Sequence, residues 1–142
     1  MEKTFVLIKP NAMKKQRAGE IIKRFEGEGL QLVGLKMLQV SKSLCQKFYA
    51  EHKERPFFSE LVNFISSSPV LVLALQGKNA VLRVREIMGD TDPKKAQKGT
   101  LRYQYGDSLG ENAVHGSDSL ESAQRELDLF FSSEEIFYTS SN

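Results

Sequence analysis

The sequence predicts an α/β protein of the α+β sandwich kind, a split β-α-β arrangement with helices packed on a mostly antiparallel sheet. Short β-rich runs alternate with segments of helical period in the order β-α-β-α-α-β-α-β-α. Neither an internal repeat nor a Pro-, Gly- or Ser-rich linker divides the chain. Its 142 residues, 40% hydrophobic and 27% charged, suit a single domain over residues 1–142 that buries its own core without disulfides or a structural metal.

The first strand is read in "KTFVLIKP", stopped by Pro10. "AGEIIKRFEGEG" then carries Ile21, Ile22 and Phe25 at helical spacing and ends at Gly29. Leu30 to Val40 is a second strand, after which Ser41 can cap a helix with Leu44, Phe48 and Tyr49 on one face. Pro56 suits the first turn of the next helix, "FFSELVNFI". Val70 to Leu75, "VLVLAL", is the clearest strand. "NAVLRVREIM" follows as a helix with Asn79 as its cap and Gly89 as its stop.

From Asp90 to Glu111 the chain is polar and glycine-punctuated, and it reads as a loop of functional length. "NAVHG" is a brief strand. Asp118 with Glu121 forms a capping box for a last helix on which Leu120, Ala123, Leu127 and Phe130 align, and the tail after Phe131 carries little signal.

Twenty Lys and Arg stand against eighteen Asp and Glu, a formal charge of +2. That balance argues against bulk binding to nucleic acid or anionic membrane, so any anion site is local. The lone Cys45 cannot form an internal disulfide and sits among apolar helix positions, where packing is its expected role. "FVLI" is far shorter than a signal-peptide core and "VLVLAL" far too short to cross a bilayer, which leads to a cytoplasmic expectation.

His115 is one of two histidines and falls at a strand-to-helix junction, close to the free N–H groups that open the final helix. An imidazole there can serve as general base, metal ligand, nucleophile or plain turn residue. The metal role is the weakest, because His52 is remote in sequence and no zinc or copper spacing exists. Glu126 borders the apolar face that holds Ala123 and Phe130, whereas Glu121, Arg125 and Asp128 point the other way. A carboxylate leaning inward can hold one nitrogen of an imidazole and leave the other free to attack; it can equally snorkel to water.

Lys9, Arg85 and Arg102, with Thr91 and Thr100, are a set that polyphosphate would use if they converge, since guanidinium groups bind phosphoryl oxygens bidentately. Surface solvation explains any one of them equally well. A P-loop and a dinucleotide-binding glycine motif are absent. In "ERPFF", one of Phe57 and Phe58 can pack in the core while the other offers a face to a base.

Taken together, "LIKP", "ERPFF", "GDTDP", "GTLR" and above all "NAVHGSDS" resemble nucleoside diphosphate kinase of the short bacterial type, in register from Thr4 to about Phe131. The resemblance implies a ferredoxin-like fold, with a four-stranded antiparallel sheet covered by helices. It also implies a ping-pong exchange in which ATP phosphorylates His115 and the phosphohistidine then phosphorylates a nucleoside diphosphate. By the same resemblance Ser117 and Glu126 support His115, Tyr49 lies near the phosphohistidine, and Arg85, Thr91 and Arg102 bind phosphate. Lys9 and Asn112 would contact the ribose hydroxyls, with Lys9 beside the chemistry, and Phe57 would stack the base without selecting purine, pyrimidine, ribose or deoxyribose.

Mg²⁺ would arrive with the nucleotide rather than sit in a protein cage, and the protein would be a homo-oligomer, a tetramer in preference to a hexamer. Asp92, Tyr103 and Gln104 depart from the family pattern around the phosphate-binding segment, and Gly116 is expected to give the phosphate room. A non-catalytic ferredoxin-like module for RNA, drawing on the basic "KKAQK" segment, is the rival; an RNA-binding sheet wants exposed aromatics on central strands, and "VLVLAL" has none.

Overall fold

The structure, a computed structural model, describes residues 1–137, so the end of the C-terminal tail lies outside it. Four strands, β1 (Glu2–Ile8), β2 (Gln31–Leu38), β3 (Val70–Gly77) and β4 (Val114–Gly116), form one sheet in the order β2-β3-β1-β4. Each neighbouring pair is antiparallel, with β1 running against β3 from Glu2↔Gly77 to Ile8↔Leu71 and against β4 from Val6↔Gly116 to Ile8↔Val114. This is the predicted split β-α-β sheet, fully antiparallel.

The uninterrupted apolar character of "VLVLAL" has a simple cause: β3 is buried along its whole length, on both faces. On one face Val6, Ile8, Leu71, Leu73 and Leu75 pack with Ile21 and Phe25 of α2 (Ala18–Gly27) and with Val84 and Met88 of α5 (Ala80–Met88). On the other, Phe5, Leu7, Val72 and Ala74 meet three helices. These are α3 (Lys42–Phe48), α4 (Phe58–Ile65) and α7 (Leu120–Phe130), which contribute Cys45, Phe48, Val62, Ile65, Leu127 and Phe130. Helices on both sides of an antiparallel sheet erase the in–out alternation that one-sided burial would write into the sequence.

Local signals fared unevenly. Ser41 caps α3 as expected, its side chain accepting from the Leu44 N–H. Pro10 ends β1 but also opens a short helix, α1 (Pro10–Lys14), that the sequence reading missed. The stretch 90–111 is not all loop, because Thr100 caps α6 (Leu101–Tyr105).

Asn79 does not cap α5: it adopts φ 53° and its side chain makes no capping bond. The last helix is capped by Ser119, which accepts from the Ser122 N–H, and not by Asp118 paired with Glu121. The chain enters α7 one residue later than the capping-box spacing suggested. Pro56 precedes α4, which starts at Phe58, so it shapes the approach and not the first turn.

Candidate active site

The pairing of β1 with β4 builds the site from the backbone outward. Where β1 ends, the Lys9 N–H donates to the Ala113 carbonyl at 2.8 Å, which tethers the start of α1 to the residue before β4. Ala113 holds φ 78°, so the chain turns sharply between Asn112 and His115 and both side chains face one cavity. That cavity is about 710 Å³. One wall comes from β4 and α7, a second from α3, α4 and the turn between them, and a third from the segment 108–112.

At its floor, His115 Nε2 lies 2.9 Å from Glu126 Oε1, and Ser117 Oγ donates to the same oxygen at 2.6 Å. Glu126 is 4% exposed, so the inward lean read from helical angle is real. A carboxylate only accepts, so the proton of the neutral ring belongs on Nε2 and Nδ1 keeps its lone pair. Phe48 meets the ring edge-on, centroids 4.7 Å apart, and restricts its rotation. Burial, with further repulsion from Lys9 and Arg102, holds the His115 pKa below the ordinary imidazole value against the opposing pull of Glu126. The resting state is therefore a neutral, oriented imidazole.

Cations surround this floor. Lys9 is 6% exposed and donates from Nζ to Asn112 Oδ1 at 2.8 Å, while Asn112 Nδ2 donates to the Thr91 carbonyl at 2.9 Å. Burial, reinforced by Arg102, pushes the Lys9 ammonium down to about 7. Arg102 spends Nη1 on the Gly89 carbonyl and Nη2 on the Val114 carbonyl, both at 3.0 Å, and its buried Nε has no partner. Burial, followed by the neighbouring Arg85, lowers Arg102 to about 10, so it remains charged at neutral pH. Arg85 and Thr91 also line the cavity.

Tyr49 is buried, its hydroxyl has no partner, and burial raises its pKa. Phe57 is 42% exposed at the mouth of the cavity, whereas Phe58 packs into the core. The ten residues that the resemblance assigns thus meet in one place, nine on the wall and Ser117 just behind Glu126, whereas Thr100 caps α6 and takes no place on the cavity wall.

Two sequence expectations change. Arg125 does not turn away from the site: it lines the cavity, with Nη2 3.6 Å from Glu126 Oε2. Gly116 keeps its place on the cavity wall, and a Cβ there would come within 2.7 Å of Met88 Cε. Asp92 accepts from the Lys94 N–H at 3.0 Å and receives no place on the cavity wall, so its charge serves a turn.

Beside His52, which the resemblance sets near the base, the site holds residues that sequence reasoning left out. His52, Arg55 and Leu109 share the wall near Phe57, the Arg55 guanidinium lying 5.8 Å from the Phe57 ring centre. Asn11 holds the 107–111 segment in place, donating to Asp107 and to the Glu111 carbonyl at 2.8 Å. Nothing in sequence spacing marks such a long-range tether.

A family model described as nucleoside diphosphate kinase matches residues 2–136. The chain belongs to the nucleoside diphosphate kinase family. The nucleoside diphosphate kinase of Bdellovibrio bacteriovorus is 57% identical over 136 residues, covering 96% of each chain. The solved nucleoside diphosphate kinase of Aquifex aeolicus superposes with a TM-score of 0.93 at 47% identity, over 95% of this chain and 98% of that one. A halophilic nucleoside diphosphate kinase from Halobacterium salinarum, solved in complex with CDP, superposes with a TM-score of 0.95 at 40% identity, over 99% and 94%. The antiparallel sheet with its helices is the ferredoxin-like fold of these nucleoside diphosphate kinases. None of the described helices is long and apolar enough to cross a membrane.

Proposed function

We propose that the phosphotransferase reaction of the nucleoside diphosphate kinase family, exchange of a γ-phosphoryl group between nucleoside triphosphates and diphosphates, runs in this chain through Nδ1 of His115. The pairing of His115 Nε2 with the buried Glu126 carboxylate carries this reading, because it leaves the opposite nitrogen as a lone pair facing a cation-lined cavity.

In the first half-reaction the Nδ1 lone pair attacks the γ-phosphorus. A P–N bond forms, the bond to the β,γ-bridging oxygen breaks with its electron pair, and the nucleoside diphosphate leaves. The imidazole becomes cationic as this happens, and Glu126 stabilises that charge while Ser117 keeps the carboxylate in line. In the second half a terminal phosphate oxygen of another nucleoside diphosphate attacks the same phosphorus and the neutral ring is restored.

Arg85, Arg102 and Thr91 bind the phosphates, the unpartnered Nε of Arg102 being a donor in reserve. Lys9 and Asn112 take the ribose hydroxyls, with Lys9 close enough to the floor to meet the transferring group as well, and the Tyr49 hydroxyl completes the pocket around the phosphohistidine. Phe57 stacks the base. A phenyl face reads no hydrogen-bond pattern, which gives broad base and sugar specificity.

On this reading Mg²⁺ would come with the nucleotide, whose phosphates Arg85, Arg102 and Thr91 would hold; no group of three or more His, Cys, Asp or Glu side chains suited to a metal ion occurs among the described residues. Its contribution when bound is to neutralise phosphate charge. The reading has residues 1–142 act as a single cytoplasmic domain within a homo-oligomer, a tetramer in preference to a hexamer. The edge strand β2 supports association, since it exposes Leu35 and Met37. Light scattering that gave six chains would overturn the tetramer.

The RNA-binding alternative gains no support from the two central strands, β1 and β3, whose apolar side chains are packed under helices on both faces. Incubation with γ-labelled ATP and Mg²⁺ should give an acid-labile, base-stable phosphoprotein that discharges onto GDP or CDP. Label that persists in His115→Gln would sink the assignment.

A further inference from the structure

Glu126 has two carboxylate oxygens, and they face different company. Oε1 takes His115 and Ser117. Oε2 has the Nη2 of Arg125 at 3.6 Å, and the same Nη2 lies 4.0 Å from Glu51 Oε1, while Nη1 donates to the Lys47 carbonyl at 3.3 Å. Arg125 therefore joins α7 to the end of α3 and to the turn that carries Glu51, and it stands between an exposed carboxylate and the buried one that holds the imidazole.

We propose that Arg125 is a positioning residue that sets the protonation state of His115 through Glu126, with Glu51 drawing its charge partly away. The kinetic consequence rests on the phosphohistidine reading; the titration of the ring does not.

The electrostatics have one sign. A cation on Oε2 partly neutralises Glu126 and so weakens its stabilisation of an imidazolium at Oε1; the cation also repels that imidazolium directly. Both effects favour the neutral ring, the form with a free Nδ1. The charged or titratable groups that share the cavity with His115 are Lys9 after β1, Tyr49 after α3, Glu51, His52 and Arg55 on the turn that follows, Glu60 on α4, Arg85 on α5, Arg102 on α6, Glu111 before β4, Asp118 after β4, and Arg125 and Glu126 on α7. Glu126 is the one hydrogen-bonded to the ring, which makes it the route by which a neighbouring charge is felt most strongly. Arg125 is 36% exposed, so solvent screening limits the effect.

The test is an NMR titration of the His115 imidazole in the nucleotide-free full chain. Arg125→Met should raise the midpoint by roughly half a pH unit, about a threefold gain in proton affinity. Arg125→Lys should recover at least half of that shift. Glu51→Gln should lower the midpoint, and its effect should shrink in the Arg125→Met background because it acts through the guanidinium. An unchanged midpoint in Arg125→Met, a Lys variant that behaves like Met, or a Glu51→Gln effect of the same size in both backgrounds overturns the proposal. Should Arg125→Met fail to fold, Glu51→Gln and Arg125→Lys carry the test, and a Glu51→Gln midpoint equal to wild type overturns it.

In the kinetic arm, the acid limb of His115 phosphorylation by γ-labelled ATP moves up with the midpoint in Arg125→Met, with KM for ATP unchanged. Absence of label in the wild-type chain would refute the phosphohistidine reading and leave the titration result standing.

Discussion

Oε1 of Glu126 lies 2.9 Å from Nε2 of His115 and accepts the Ser117 hydroxyl at 2.6 Å, so one oxygen fixes the tautomer and is itself fixed. The two supports are unequal. On the proposed mechanism, Glu126→Gln removes the charge that would stabilise the phosphorylated ring and should slow label incorporation about 10²-fold. Ser117→Ala removes one hydrogen bond to the carboxylate, about 1.5 kcal/mol for a charged acceptor, and should slow it roughly tenfold. Rapid-quench measurement of phosphoenzyme formation separates them, and equal losses would contradict the arrangement.

Lys9 should make nucleotide binding proton-linked. Its folded-state pKa of about 7 lies below its ordinary 10.5, so between those values the nucleotide-free folded protein holds fewer protons than the unfolded chain and stability rises with pH across that window. Below about pH 7 the ammonium is buried charged, and Lys9→Met should raise the unfolding midpoint there even as it impairs turnover. Phosphate oxygens favour the charged amine. Calorimetry at pH 8 in buffers of different ionisation enthalpy should therefore show proton uptake on ADP binding, reduced in Lys9→Met.

Phe57 should contribute to affinity without choosing among bases. Phe57→Ala is expected to weaken ADP, GDP and CDP alike by about 1–3 kcal/mol, the usual range for losing an aromatic stacking partner. Equilibrium titration with the three diphosphates checks this. A loss confined to one base would assign specificity to Phe57 and contradict the non-selective face.

Two glycines should differ in the way they fail. At Gly116 an added Cβ meets the flexible end of Met88, which can shift, so Gly116→Ala should cost about 1–3 kcal/mol. At Gly89, φ is 85° and the Cβ would lie 2.5 Å from Thr100 Oγ1, the side chain that caps α6. Gly89→Ala should cost more than Gly116→Ala and should disturb Arg102, which bonds the Gly89 carbonyl. Urea unfolding of both variants gives the ranking.

The elements and the site were legible to different degrees for physical reasons. Strong periodicity and apolar runs located the sheet and the longer helices, because burial repeats at the pitch of the element. Helix starts were less secure. Any Ser, Thr, Asp or Asn near a helix can cap it, and the choice between Asp118 and Ser119 depends on where the chain leaves β4. α6 escaped notice because five residues carry too little periodic signal, although Thr100 stood at its head. Arg125 was misplaced because helical angle locates a Cα, whereas a guanidinium on a long stem reaches around the helix to Glu126.

Sequence alone determined the alternating order of the strands and the longer helices, the inward position of Glu126, and the motif around His115 that marks the family. These follow from local chemistry and from residue types at short spacing. Only the tertiary structure decided that Lys9, separated from Asn112 by 103 positions, lies within 2.8 Å of it, that one carboxylate oxygen serves both His115 and Ser117, and that Arg125 attends the other. Those relationships depend on the register of β1 against β4 and on how α7 packs across the sheet. Both are set by burying two apolar faces at once, a constraint no short stretch of sequence contains.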